Sequence, residues 1–442
     1  MNKRLYPLAI CISLLASIGN YASAQSQIED QQVVELKAIE LPNLVGNSFA
    51  KITLLAVKDG ILIPVPHQLE DFDEQGESWF KESKTPLLGT EGIIDPHDSL
   101  LFRYVDMGQR LDAYNAEFTK LYTEIQVLSS HTNEVRYLYV SRHLEGFHYK
   151  PLTQYDQKAG IIKSDYFTLR TNPKDFLSWN DFTYSSYEGK QQSSLLDTLK
   201  LRITAGILFN TASVTLDNND INTEVLAVKQ GPIRTTILAK SQFTFASVPV
   251  VYLDIRFKVL PQQFNISVDI HVPSIIATLL SNPKATLSID GNNLLNSEVL
   301  SSFNPILPTK VDGKMSSSEL ALLHKVISED RTWVMLSTNE GFDIYTELYV
   351  PSNFDAPISL LYVDNFELAE LPERFTGQGP NIGYSLREIP LDETFKFQFD
   401  AYFADKIGNP YEFASRIKDI PAVASQTINE EFTLVQGENT PQ

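Results

Sequence analysis

Asp71-Phe-Asp73-Glu-Gln75-Gly76-Glu77, with Glu82 beyond it, sets oxygen-bearing side chains at alternate positions before a glycine. Calcium takes six to eight oxygens, and a sharp turn at glycine lets successive side chains converge on one ion. Asp71, Asp73 and Gln75 would offer side-chain oxygens, Glu77 its carbonyl and Glu82 a carboxylate. Gln75 stands where Asp or Asn is usual, and Ser78 where an apolar anchor is usual. The segment before the loop, Ile61 to Pro66, reads as a strand. The pattern is thus a calcium-type loop and not an EF-hand. The same residues also make an acidic, solvated hairpin loop, and that plainer reading is preferred.

A second group is the aromatic run from Phe176 to Tyr187, which mixes Trp179, Tyr184 and Tyr187 with Asn180 and Asp181. Flat rings cover the apolar faces of a sugar while amides and carboxylates take its hydroxyls. The plainer reading is a loop whose rings plug a sandwich edge. The run lacks the interleaved cations of a nucleic-acid stacking platform.

A third group lies on the polar face of a hairpin over 250–272. Pairing Leu260 with Gln263 would set Asp254 against Asp269 and Tyr252 against His271. Facing carboxylates repel unless a proton or cation intervenes. A two-residue slide sets Arg256 against Asp269 and Asp254 against His271, and both registers keep the same side chains inward. The slid register is preferred, which makes Asp269 and His271 structural first and acid–base candidates second. His143 and His148 flank Gly146, with Arg142 and Glu145 close by, so a metal or acid–base role for His143 is also open. The chain carries no G-x-S-x-G elbow and no glycine-rich phosphate loop.

The elements that must hold these residues are strands. In 394–403 Phe395, Phe397, Phe399 and Phe403 alternate with Lys396, Gln398, Asp400 and Tyr402. The same period-2 pattern runs through 251–259 and 263–272. Further strands are expected at 50–57, 100–105, 121–128, 134–140, 200–209, 222–229, 232–245, 331–337, 342–350, 357–363 and 382–388. Asp59-Gly60, Asp290-Gly291 and Asp312-Gly313 suit two-residue hairpin turns. Short helices are expected at 316–325, capped by Ser316 with Glu319, and at 410–418. Many strands with few helices between them imply an all-β, antiparallel β-sandwich.

Residues 1–24 have the three parts of a secretory signal: Lys3 and Arg4, an apolar core from Leu5 to Leu15, and Ala22-Ser23-Ala24. Cleavage after Ala24 would deliver the chain to the periplasm or beyond. The apolar core is shorter than the roughly 20 residues of a spanning helix. Cys11, inside this leader, is the one cysteine in 442 residues, so the mature chain would have no disulfide and no thiolate chemistry. The net charge of -19 argues against nucleic acid and anionic lipid surfaces as partners. Uneven strand lengths, frequent prolines and a polar end argue against an outer-membrane barrel, and no later segment is long and apolar enough to span a membrane as a helix. Residues 25–155 are expected to form a smaller β domain, 156–424 a larger sandwich and 425–442 a frayed tail.

Two stretches carry a resemblance. Ile63-Pro-Val-Pro-His67-Gln68, Asp71 to Glu74 and Asp95 to Phe102 resemble the opening of some uncharacterised exported bacterial β-sandwich proteins. Gly231-Pro-Ile-Arg234 resembles the Gly-Pro-Val-Arg segment of galactose-mutarotase-like supersandwich proteins. The resemblance implies a supersandwich-like fold and a link to polysaccharide use. Fold alone does not give function. The leading expectation is an exported protein that binds a carbohydrate or another cell-envelope component, with calcium at Asp71 and Asp73 as a brace. The alternatives are a polysaccharide lyase or sugar epimerase, and a non-enzymatic accessory protein of an envelope assembly.

Overall fold

A computed structural model describes residues 32–112, 121–129, 133–141, 149–185, 194–207, 211–327, 331–391, 394–417 and 422–427. The fold is all-β, with several antiparallel sheets and few short helices. The chain divides into two compact units. One comprises Ser26–Pro151 with Gly231–Ile233 and the C-terminal stretch from Ala414. The other, the main unit, comprises Leu152–Gln230 and Arg234–Phe413.

In the N-terminal unit, Val33–Lys37, Ser99–Arg103 and Gln68–Glu70 form a three-stranded sheet. Ala422–Thr427, Leu121–Leu128, Val135–Ser141, Thr53–Lys58 and Ile61–Val65 form a five-stranded one, in that order. The strand from the end of the chain thus lies at an edge of this sheet. Alternate residues such as Leu36, Leu54, Leu100, Phe102, Ile125 and Leu138 meet in one core. The Asp59-Gly60 turn closes the hairpin Lys58–Ile61 as expected, with φ of 51° and 76°. Both values need the left-handed freedom that Asp and Gly supply.

The two stretches that carry the resemblance meet in this unit. The buried Gln68 amide donates to Glu70 at 2.5 Å and accepts from the Ile233 N–H at 3.0 Å. A Cβ on Gly231 would collide with that amide. Gly231 is therefore required by a close approach and not by its φ. His67 is held with its ring nitrogens 3.1 Å from the carbonyls of Val65 and Ile52, and burial lowers its pKa against the effect of those carbonyls.

The main unit is built on a nine-stranded sheet that runs from Ile221–Gln230 at one edge through Val248–Leu260, Gln263–His271 and Phe395–Ala404 to Asn304–Lys310 at the other. A six-stranded sheet contains Leu196–Ile207, Ser281–Gly291, Asn381–Arg387 and Ile358–Val363 as its four central strands. A four-stranded sheet contains Asp175–Tyr184, Phe167–Asn172, Ile161–Ser164 and Thr153–Asp156. Their inward residues share one core.

Several expectations need correction. The hairpin 248–271 adopts the unslid register, with Asp254 opposite Asp269 and Tyr252 opposite His271. A two-residue connection at Pro261-Gln262 leaves Leu260 paired with Gln263. The charge conflict is resolved by strands that a two-strand comparison ignores. Lys240 pairs with Asp254 on one side, and Lys396 with Asp269 on the other. The row across four strands therefore reads plus, minus, minus, plus. The aromatic run is a strand and not a loop. Asp290-Gly291 ends a long strand, and Asp312-Gly313 follows one, with both amides donating to Asp364 Oδ2 at 2.7 and 3.0 Å. Neither closes a hairpin. The two expected helices form at Ser317–Leu322, with the Ser316–Glu319 capping box in place, and at Pro410–Arg416, and a further short one forms at Ser274–Ala277.

Candidate functional site

The structure scatters the residues that the sequence singled out. Trp179 and Tyr184 lie 3% exposed, inside the core. Trp179 packs edge-on against Phe257 and Phe264, and Tyr184 stacks on Phe342 at 4.7 Å while its hydroxyl donates to Asp405 at 3.1 Å. Neither ring is presented on the outer surface. Asn180 and Asp181 are half-buried on the same strand, and Tyr187 lies outside the described residues. His271 is exposed at a strand end, 3.5 Å from Thr394 Oγ1, and faces Tyr252 across the hairpin. Asp269 faces Asp254 and Lys396. His143 lies outside the described residues.

In the acidic loop, Asp73 Oδ1 accepts from the amides of Gln75 and Glu77, each at 3.0 Å, and the Asp73 N–H donates to the Glu77 carbonyl. Gly76 takes φ 75° at the tip. Asp73 is thus the internal brace of its own turn. Asp71 and Glu77 are buried, whereas Gln75 and Glu82 are exposed.

What the structure assembles in the main unit is an apolar cavity of about 190 Å³ between the six- and nine-stranded sheets. Strand alternation builds it. Leu199, Leu201 and Ile203 face inward from one sheet; Leu253, Ile266, Val268 and Ile270 face them from the other. Leu201, Ile203, Val268, Ile270 and Leu287 are only partly buried, as expected for side chains that border space instead of a partner. The buried Trp179, Leu348 and Phe399 also line it. Val272, Leu280, Pro283, Ile389 and Leu391 complete the lining, and the Ile389 N–H donates to the Pro283 carbonyl at 3.2 Å. Arg202 and Thr286 are the two polar residues in the lining, and both occupy the outward phase of their strands. Phe245, Val248, Ile275 and Leu279, outside the lining, are exposed, with Ile275 reaching 72%. A cavity of similar size lined by aliphatic and aromatic side chains stays dry and takes apolar guests.

A polar cluster sits on the outer face of the six-stranded sheet. Lys200 Nζ lies 2.5 Å from Asp290 Oδ2 and 3.6 Å from Glu373, and donates to the Glu370 carbonyl at 2.6 Å. Asp197 accepts from Arg374 Nε at 3.1 Å and from the backbone amides of Arg374 and Phe375. Burial first, then the hydrogen bond to Asp197, push the Glu373 carboxyl up to about 7, with Lys200 opposing. Among the described residues, Asp197, Asp290 and Glu373 are the acids whose oxygens gather within 4.8 Å. The Lys200 ammonium already supplies the positive charge there, so the arrangement is an ionic clamp. It ties the segment that follows Ile358–Val363 to the sheet.

No family model matches the chain, and no curated protein matches it either. Solved structures with a similar course include an alpha-mannosidase from Enterococcus faecalis V583, at 8% identity and TM-score 0.42, over 89% of this chain and 48% of that one. A glycosyl hydrolase family 38 protein from Enterococcus faecalis gives 7% and 0.46, over 92% and 47%. Heparan sulfate lyase HepC from Pedobacter heparinus gives 9% and 0.32, over 60% and 38%. The chain spans about half the length of the first two proteins and 38% of the third.

Proposed function

We propose that the main unit binds an amphipathic molecule of the cell envelope and holds its apolar chain in the cavity between the two sheets. The observation that supports this reading is the lining, which is aliphatic and aromatic apart from Arg202 and Thr286. Ligand sites are concave, mostly apolar and largely preformed. A hydrophobic guest would cover the inward faces of Leu201, Val268 and Ile270, each methylene contributing about 0.8 kcal/mol when removed from water. Delivery outside the cytoplasm, implied by the leader, would put the protein where such molecules are. Within the carbohydrate-or-envelope expectation, the burial of Trp179 and Tyr184 favours the envelope arm, because neither ring is presented on the outer surface for a sugar to stack on.

Titration of the mature chain with a fluorescent fatty acyl probe tests this. Saturable binding is expected, at least tenfold weaker in Val268→Phe, which fills the space. Binding that the filled variant leaves unchanged would contradict the reading. So would tight binding of a soluble, chain-free glycan that Asp181→Ala abolishes.

A further inference from the structure

Two loops of the main unit expose apolar side chains, and both stand on residues that line the cavity. Phe243 and Val251 belong to the lining and pair directly across a hairpin. At its tip Phe245 pairs with Val248, and both are exposed. Ala246 and Ser247 take φ of 49° and 68°, so a tight turn holds those two side by side. Val272 and Leu280 also belong to the lining, and the segment between them exposes Ile275 and Leu279. These two lie four residues apart across the helical turn Ser274–Ala277, the spacing that shares one face. Tyr252–His271 is the last pair between the two neighbouring strands, and both loops run on beyond it. They therefore stand at the same end of the nine-stranded sheet.

The sequence treats both loops alike. In a chain that is 21% charged, no Asp, Glu, Lys or Arg falls between Lys240 and Asp254 or between Asp269 and Lys284. Single exposed apolar residues are ordinary, whereas several gathered in one place mark a contact surface. Charge points to the partner. Where the second loop re-enters the six-stranded sheet, Lys284 and Arg387 face each other directly across paired strands. Like charges so placed repel. A phosphate between them would relieve the repulsion. The net charge of -19 disfavours a strongly anionic surface, so the phosphates of zwitterionic lipid fit best.

We infer that this end of the main unit docks on a zwitterionic bilayer, with Phe245, Val248, Ile275 and Leu279 at the acyl boundary and Lys284 and Arg387 at the phosphate level. The inference rests on the cavity reading and deepens it: an alkyl chain would pass from the bilayer into the lining without crossing water.

The test is flotation of the full mature chain with phosphatidylcholine vesicles, beside the acyl-probe titration. Saturable flotation is expected. Ile275→Asp combined with Leu279→Asp should weaken it at least tenfold, because binding scales with the apolar area inserted. Both side chains are largely exposed, at 72% and 62%, so the fold does not depend on them. Phe245→Ser, on the other loop, should weaken flotation about threefold and carries the test if the double variant does not fold. Val268→Phe, which fills the cavity, should float as the parent does. Flotation that depends on Ile275 and Leu279 without any acyl-probe binding supports docking and contradicts the cavity reading. Acyl-probe binding without flotation overturns docking and leaves the cavity reading standing. Docking is also overturned if the double variant floats as the parent does, or if Val268→Phe abolishes flotation. A parent dimer that the double variant dissociates, with no vesicle binding by either, would assign the surface to a second copy and overturn it too.

Discussion

At the scale of single residues, Glu373 makes the most direct link between environment and pH. Its folded-state carboxyl is raised from 4.5 to about 7 by burial and by Asp197, with Lys200 opposing. A raised carboxyl favours the folded state below its unfolded pKa, and that contribution disappears as pH rises through the folded pKa. Between about pH 4.5 and 7 the unfolded chain has released this proton while the folded chain still holds it. Glu373→Gln, which cannot titrate, should therefore remove part of the decline in stability over that window. Urea midpoints of parent and variant at pH 5 and pH 8 should converge at one end and separate at the other; parallel curves would contradict the assignment. Trp179 makes a second point. Its ring packs on Phe257 and Phe264 and lines the cavity. Trp179→Ala should cost about 3–5 kcal/mol in chemical denaturation, the range for deleting a buried aromatic. A loss below about 1 kcal/mol would mean that the ring is not a core residue.

At the scale of elements, alternation carried most of the information. Strands at 121–128, 331–337 and 395–404 lie within a residue or two of where the polar–apolar period puts them. Alternation failed in two informative ways. It could not choose the 248–271 register, because sliding by two keeps every side chain on its face. Only the flanking strands, with Lys240 and Lys396, show why Asp254 and Asp269 tolerate each other. It also passed over 175–184, because adjacent buried residues Phe176 and Leu177 and a register shift at Thr171 break the period there. The charge row gives a prediction. Lys396→Glu should destabilise the protein by about 1 kcal/mol or more by adding a like charge beside Asp269, and Asp269→Asn in the same background should recover part of it, measured as a double-mutant cycle. Additive effects would show that the row is not coupled. The turn gives another. Gly60→Ala should cost about 1 kcal/mol because φ 76° is strained for any residue with a Cβ, although open space surrounds it.

At the scale of the whole molecule, the cavity and the ionic clamp were not legible in the sequence. Leu201, Val268 and Ile270 have the same types and spacing whether they meet a partner or a void. Asp290 and Glu373 lie far along the chain from Asp197 and Lys200, and the pairing of Leu196–Ile207 with Ser281–Gly291 is what brings Asp290 beside them. The cavity remains the feature with the greatest functional consequence. Native mass spectrometry of the mature chain purified from its own host, beside Val268→Phe prepared in the same way, tests it most directly. One alkyl-bearing molecule is expected to be retained by the parent and absent from the filled variant. Equal retention by both proteins, or none by the parent even after incubation with envelope lipid extract, would contradict it.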